Sequence, residues 1–200
     1  MDVKGNVAIS PRFAVARPFS GGVAVVSYNN VNYGLVDRNG NEVSSFRYKR
    51  IGEFHDGLAP FNTDLYGMNF QGMEPRCGYL DSEGREVIPA KWDDAGEFSE
   101  MRAAVMRFGV NSEDFYDARW GYIATNGQLV VPFKYHEAYP FRCGLARVFI
   151  KGLGYGYINR KGEEVVPCKY QEAGDFHDFT AKVKQYDRAM TCLLYTSDAA

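Results

Sequence analysis

Three histidines, four cysteines and a scatter of carboxylates are the side chains here with the most chemistry to offer. His55 and His177 each follow a phenylalanine and precede an aspartate (Phe54-His55-Asp56, Phe176-His177-Asp178), while His136 follows Tyr135. Imidazoles bind metal only where they converge. His55 and His177 fall at the same place in a recurring pattern, which displaces one from the other, so no metal site is expected. Cys77, Cys143, Cys168 and Cys192 show no Cys-x-x-Cys spacing, which argues against zinc. A Cys143–Cys168 disulfide stands as an alternative to four small, mostly buried thiols. Asp93-Asp94 with Glu97 reads as a solvated acidic turn, because a glycosidase pair needs two acids facing each other across a cleft. Gly152-Leu153-Gly154-Tyr155-Gly156 joins two expected strands and opens no helix, so it lacks the amides that cradle phosphate. A Gly-x-Ser-x-Gly elbow is absent from the sequence. The expectation is a chain with no catalytic residues and no cofactor.

The elements that must position these residues are written as a repeat. A marker glycine ends Asp2-Val3-Lys4-Gly5, Asp37-Arg38-Asn39-Gly40, Asp81-Ser82-Glu83-Gly84, Ala124-Thr125-Asn126-Gly127 and Asn159-Arg160-Lys161-Gly162. Eight residues after each glycine stands an aromatic (Phe13, Tyr48, Trp92, Tyr135, Tyr170), and fourteen after each stands Phe19, Phe54, Phe98, Phe141 or Phe176. A second glycine (Gly34, Gly78, Gly121, Gly156) precedes each of the last four markers by six residues. Self-similarity of this kind identifies an array of supersecondary units.

Within a unit, Ala146, Val148 and Ile150 alternate as in a strand. Tyr155-Gly156-Tyr157-Ile158 and Glu164-Val165-Val166-Pro167 read as two more strands. Asn159 to Gly162 is then a hairpin connection, with Asn capping the turn and Gly supplying positive φ. The glycine in Trp120-Gly121-Tyr122 is expected to admit a neighbouring backbone or ring. Tyr-x-x-Ala-x-x-Phe, which closes each unit, fits either one helical turn or a bulged strand. A lone unit of this size is marginal in water, whereas stacked units bury a continuous core.

Phe-x-x-Gly-Leu-Ala-x-Val, aromatic-Gly-Tyr-Ile, Val-Ile-Pro and Tyr-x-x-Ala-x-x-Phe together resemble the bacterial WG repeat, over Asp2 to about Val183. The literal Trp-Gly pair occurs only at Trp120-Gly121, with Tyr33, Cys77 and Tyr155 in that place elsewhere. The resemblance implies a β-rich array with a binding or scaffolding role and carries over no catalytic residue. The fold expected is all-β: about five units over residues 1–183, each a meander of roughly three strands, in an open solenoid-like or superhelical stack. A β-propeller is the alternative, disfavoured because the short units barely have room for four strands. Unit breaks fall near Phe19, Phe54, Phe98, Phe141 and Phe176.

Asp2 to Gly5 already matches the turn, so the chain is expected to begin mid-repeat, as a fragment. Residues 184–200 keep no repeat position and read as a degenerate tail; their end resembles a translated adaptor run-through. A net charge of −2 with interspersed signs argues against a nucleic-acid surface. No apolar run reaches membrane-spanning length. Compartment is left open by the sequence.

Marker spacings of 35, 44, 43 and 35 residues place insertions of nine and eight residues in the two middle units, both between the repeat phenylalanine and the second glycine. The insertions, roughly Phe61–Arg76 and Phe108–Arg119, are expected to emerge side by side on one face. Per-repeat insertions often build binding faces, although lengthened hairpins would also account for them. Tyr66, Phe70, Arg76, Phe115, Tyr116 and Arg119 are the candidate contacts, because aromatics and arginine dominate interface energetics. The function expected is non-enzymatic protein or peptide binding. Carbohydrate or cell-wall binding and a structural spacer are the alternatives.

Overall fold

The computed structural model describes residues 9–63, 77–109 and 117–185, together with the strand Arg188–Leu193. The chain divides into two compact units, Met1–Glu97 and Phe98–Ala200. Every regular element among the described residues is a β-strand.

The first unit holds β1 (Val15–Ala16), β2 (Val23–Ser27), β3 (Tyr33–Asp37), β4 (Arg50–Ile51), β5 (Leu58–Asn62), β6 (Cys77–Asp81), β7 (Glu86–Trp92) and β8 (Asp94–Ala95). The second holds β9 (Arg102–Phe108), β10 (Ala118–Ala124), β11 (Leu129–Tyr135), β12 (Glu137–Ala138), β13 (Leu145–Ile150), β14 (Gly154–Asn159), β15 (Glu164–Tyr170), β16 (Glu172–Ala173), β17 (Thr180–Gln185) and β18 (Arg188–Leu193). Neighbours in sequence pair antiparallel: β1-β2-β3 and β4-β5-β6-β7 in the first unit, and β9-β10-β11, β12-β13-β14-β15 and β16-β17-β18 in the second.

The complete repeat is therefore a four-stranded meander, one strand more than the sequence pattern predicts. The added strand is the segment that opens Tyr-x-x-Ala-x-x-Phe. Glu137 and Ala138 pair with Phe149 and Val148, and Glu172 and Ala173 pair with Lys184 and Val183. Two residues cannot display a period, so the strand is silent in the sequence. Its presence also removes the length objection to four-stranded units.

The glycines behave as their spacing predicts. Gly40, Gly84, Gly127 and Gly162 all take φ between 77° and 85°. The turn before them is capped by a side chain: Asp37 Oδ1 accepts from the Asn39 and Asn41 amides, and Asn159 Oδ1 from the Lys161 and Glu163 amides. Where Ala124 replaces the acid, Asn126 Oδ1 takes the Gln128 amide instead.

The second glycine admits backbone. A Cβ on Gly121 would lie 2.5 Å from Val131 O, and one on Gly78 2.5 Å from Ile88 O. The cause is a bulge opposite, where the ladder steps from Trp120↔Tyr135 to Tyr122↔Val131. Pro132 and Pro167 stand in such bulged strands, solvent-exposed and paired on one side only, where a missing N–H is tolerated. In the first repeat, Ser44 and Phe46 replace this arrangement. Ser44 Oγ accepts the Leu35 amide at 2.9 Å, and the Phe46 ring fills the space over Gly34.

Successive sheets pack face to face within each unit. Val25 and Leu35 share a core with Ile51, Ala59, Phe61 and Leu80, while Tyr122 and Val131 share one with Ala146, Val148 and Ile158. The repeat phenylalanines Phe98, Phe141 and Phe176 are buried, but Phe19 is 44% exposed. The buried tyrosine after the second glycine latches onto the backbone seventeen residues on: Tyr79 donates to Gly96 O (2.7 Å), Tyr122 to Tyr139 O (2.8 Å) and Tyr157 to Gly174 O (2.7 Å). Tyr122 and Tyr157 also pack edge-on against Phe141 and Phe176.

Beyond Val183, where the marker pattern fails, β18 still pairs with β17, from Gln185↔Arg188 to Thr180↔Leu193. The start of the expected tail thus completes the last sheet.

Candidate functional site

Both insertions leave from the equivalent hairpin of their repeats, β5-β6 in one and β9-β10 in the other. The first spans the gap between Asn62 and Cys77, which pair as the last rung of β5-β6; the second spans the gap between Phe108 and Ala118, the last rung of β9-β10. In the uninserted repeats the same hairpin closes at Ser27↔Tyr33 and Ile150↔Gly154. Part of the second insertion is ladder, since β9-β10 runs three rungs past Gly121↔Val105 while β2-β3 runs one past Gly34↔Val26.

Of the candidate contacts, Tyr66, Phe70, Arg76, Phe115 and Tyr116 lie outside the described residues. Arg119 is in β10, opposite Arg107. Its guanidinium is ion-paired with Asp117, and the two side chains keep only 18% and 17% of their surface exposed. Arg119 is therefore committed to the base of the hairpin.

A second arrangement brings together residues that the sequence pattern keeps apart. Three of the five repeat phenylalanines follow an acid, Glu53, Glu97 or Asp175, while Pro18 and Pro140 precede the other two. In the first unit His55 Nε2 lies 3.7 Å from Glu53 Oε2 and 3.5 Å from Glu97 Oε2. Glu97 is oriented by its other oxygen, which accepts the Glu53 amide at 3.0 Å. Glu53 also lines a cavity of about 180 Å³ with Arg17, Phe19, Val23, Val25 and Phe54. Arg17 there donates to Ile51 O at 2.8 Å.

In the second unit the acid is Asp175, 3.2 Å from Arg147 Nη2. Arg147 also donates to Ala173 O and lies 3.6 Å over the Tyr139 ring. Glu137 Oε2 accepts both the Tyr139 and Tyr155 hydroxyls, at 2.7 and 2.9 Å. Burial, then the Glu137 hydrogen bond, pushes both phenols above the ordinary tyrosine range. Arg147 Nε and Asp175 Oδ1 are buried without a hydrogen-bond partner, so the ion pair, the Ala173 carbonyl and the ring contacts hold this cluster between consecutive repeats.

The remaining reactive groups are quiet. Cys77, Cys143 and Cys168 are free thiols, so the alternative of a Cys143–Cys168 disulfide is not realised. Burial pushes the Cys168 thiol up to about 11. His136 Nδ1 accepts the Lys151 amide at 3.0 Å, and burial, with Arg119 adding to it, holds its pKa below the ordinary value. His177 sits in a tight turn, exchanging backbone hydrogen bonds with Thr180. The carboxylates of the Glu53–His55–Glu97 group come from two repeats. The legible signal was the acid in the position before the repeat phenylalanine.

Comparison with known proteins agrees with the repeat. The WG containing repeat matches residues 1–31, 33–64, 78–107, 120–153 and 155–188, and the chain belongs to that family. The search of curated proteins returns no match. A solved chain described as the crystal structure of the eukaryotic initiation factor is similar in fold, with a TM-score of 0.56 at 12% identity, covering 93% of this chain and 52% of that one. The computationally designed Ika8 protein matches at a TM-score of 0.46 and 11% identity, over 85% of this chain and 54% of that one. This chain thus spans about half the length of the solved structures it matches. No helix among the described residues is long and apolar enough to cross a membrane.

Proposed function

We propose that this WG-repeat chain is a non-enzymatic scaffold that presents its two inserted hairpins to a protein or peptide partner. One observation carries the reading. The repeat matches stop at residues 64 and 107 and resume at 78 and 120, and the sheet ladders close beneath both gaps, at Asn62↔Cys77 and Phe108↔Ala118. The insertions are extra to the repeat and hang from the same hairpin. Loops held on a rigid scaffold are where binding residues concentrate. Tyr66, Phe70, Arg76, Phe115 and Tyr116 are the proposed contacts, and Arg119, held by Asp117, fixes the root of the second hairpin.

The test is a pull-down from bacterial lysate with two baits, each ending at Leu193. One is otherwise intact; in the other, both insertions are cut to the length of the uninserted hairpins. Circular dichroism and thermal melting establish that both fold. A partner held by the intact bait and lost by the trimmed one supports the proposal. A partner kept by both places binding on the repeat surface and overturns it. Two folded baits that capture nothing overturn it in favour of a glycan-binding or spacer role.

A further inference from the structure

We propose that Glu53, His55 and Glu97 form a divalent-cation site of the zinc type, built where two consecutive repeats meet. A hydrogen-bonded imidazole and carboxylate close to about 2.7–2.9 Å, but His55 Nε2 stands 3.7 and 3.5 Å from the two glutamate oxygens. Bonds of about 2.0–2.2 Å at tetrahedral angles would separate neighbouring ligand atoms by about 3.3–3.6 Å. The two imidazole–carboxylate separations are close to those of a filled site, and the three donor atoms all lie within 4.8 Å of one another.

The donors are also held in place. Glu97 Oε1 is anchored by the Glu53 amide, which leaves Oε2 facing His55. His55 lies in a tight turn whose backbone is fixed by reciprocal His55–Leu58 hydrogen bonds and by positive φ at Asp56 and Gly57. A ligand that accepts a second hydrogen bond is oriented for metal binding. Gly52 matters too, because a Cβ there would meet the Glu97 carboxylate at 3.3 Å and Pro60 at 2.7 Å. One imidazole and two carboxylates are a borderline-hard set suited to Zn²⁺, and the exposure of Glu53 leaves the fourth position to water. The histidine positions of other repeats do not reproduce the set. Ser99 and Arg142 stand where His55 does, and among the described residues His177 belongs to no such group.

The test is calorimetric titration of the full chain with Zn²⁺ alone, in wild type and in His55→Ala, Glu97→Gln and His177→Ala. Co²⁺ absorption spectra report the donor type. The expected result is one site in wild type and in His177→Ala, weakened at least about tenfold in the other two, with no thiolate charge-transfer band. All four proteins should melt alike without metal, because His55 is exposed and Glu97→Gln keeps a side-chain oxygen to accept the Glu53 amide. Equal affinity in all four, a thiolate band, or no Zn²⁺ binding by wild type overturns the proposal. It stands or falls independently of the hairpin reading, since neither insertion contributes a ligand.

Discussion

Tyr122→Phe isolates the latch that Tyr79, Tyr122 and Tyr157 form in three of the repeats. Tyr122 is fully buried, and its hydroxyl donates at 2.8 Å to Tyr139 O. The substitution keeps the ring against Phe141 but removes the donor, leaving a carbonyl that loses its partner. Such a loss costs about 1–3 kcal/mol, which for a chain of this size lowers the melting temperature by about 2–4 °C per kcal/mol. The assay is urea denaturation followed by tryptophan fluorescence, which reports Trp120 on the same core together with Trp92. Tyr28→Phe is the control. It removes an equally short bond, 2.7 Å to Glu42, at an exposed position and should cost under about 0.5 kcal/mol. Tyr79→Phe and Tyr157→Phe should resemble Tyr122→Phe. A cost for Tyr122→Phe no greater than that for Tyr28→Phe would refute the latch.

Gly121→Ala should destabilise by more than about 2 kcal/mol in the same assay, because its Cβ would lie 2.5 Å from the Val131 carbonyl and backbone cannot yield cheaply. Cys168 should react with iodoacetamide at pH 8 about two orders of magnitude more slowly than a free thiol, since burial raises its pKa to about 11 and the thiolate is the nucleophile; mass spectrometry of the alkylated peptides measures this. The Asn41 side chain and amide hold the Asp37 carboxyl below the usual carboxylate range. Its stabilising contribution is therefore present above the unfolded pKa and lost as pH falls through the folded one. Asp37→Asn should flatten the acid limb of a melting-temperature profile measured below about pH 4.

The parts of the fold legible in the sequence were those fixed by single residues. The turn before Gly162 needs a capping Asn159 and a positive φ, and Gly121 must let Val131 O approach, so both positions admit few residue types. The added strand was hidden because Glu137-Ala138 is too short to alternate and pairs just after a bulge. The Glu53–His55–Glu97 group was hidden for another reason. Comparing His55 with His177 showed equivalent places in separate repeats, which argued against convergence, but Glu97 reaches His55 from the next repeat across a sequence gap no local motif spans. The same holds for Arg147 and Asp175. The positions of the insertions were readable from glycine spacing alone, since any added length shifts Gly78 and Gly121 relative to Phe54 and Phe98. The commitment of Arg119 to Asp117 required coordinates.

The most direct measurement is the affinity of a captured partner for the intact chain and for the chain with both hairpins trimmed, by calorimetry beside matched melting curves. The account predicts binding at least about tenfold weaker after trimming, with the two melting temperatures within about 2 °C. Unchanged affinity in a trimmed chain that melts like the intact one would contradict it.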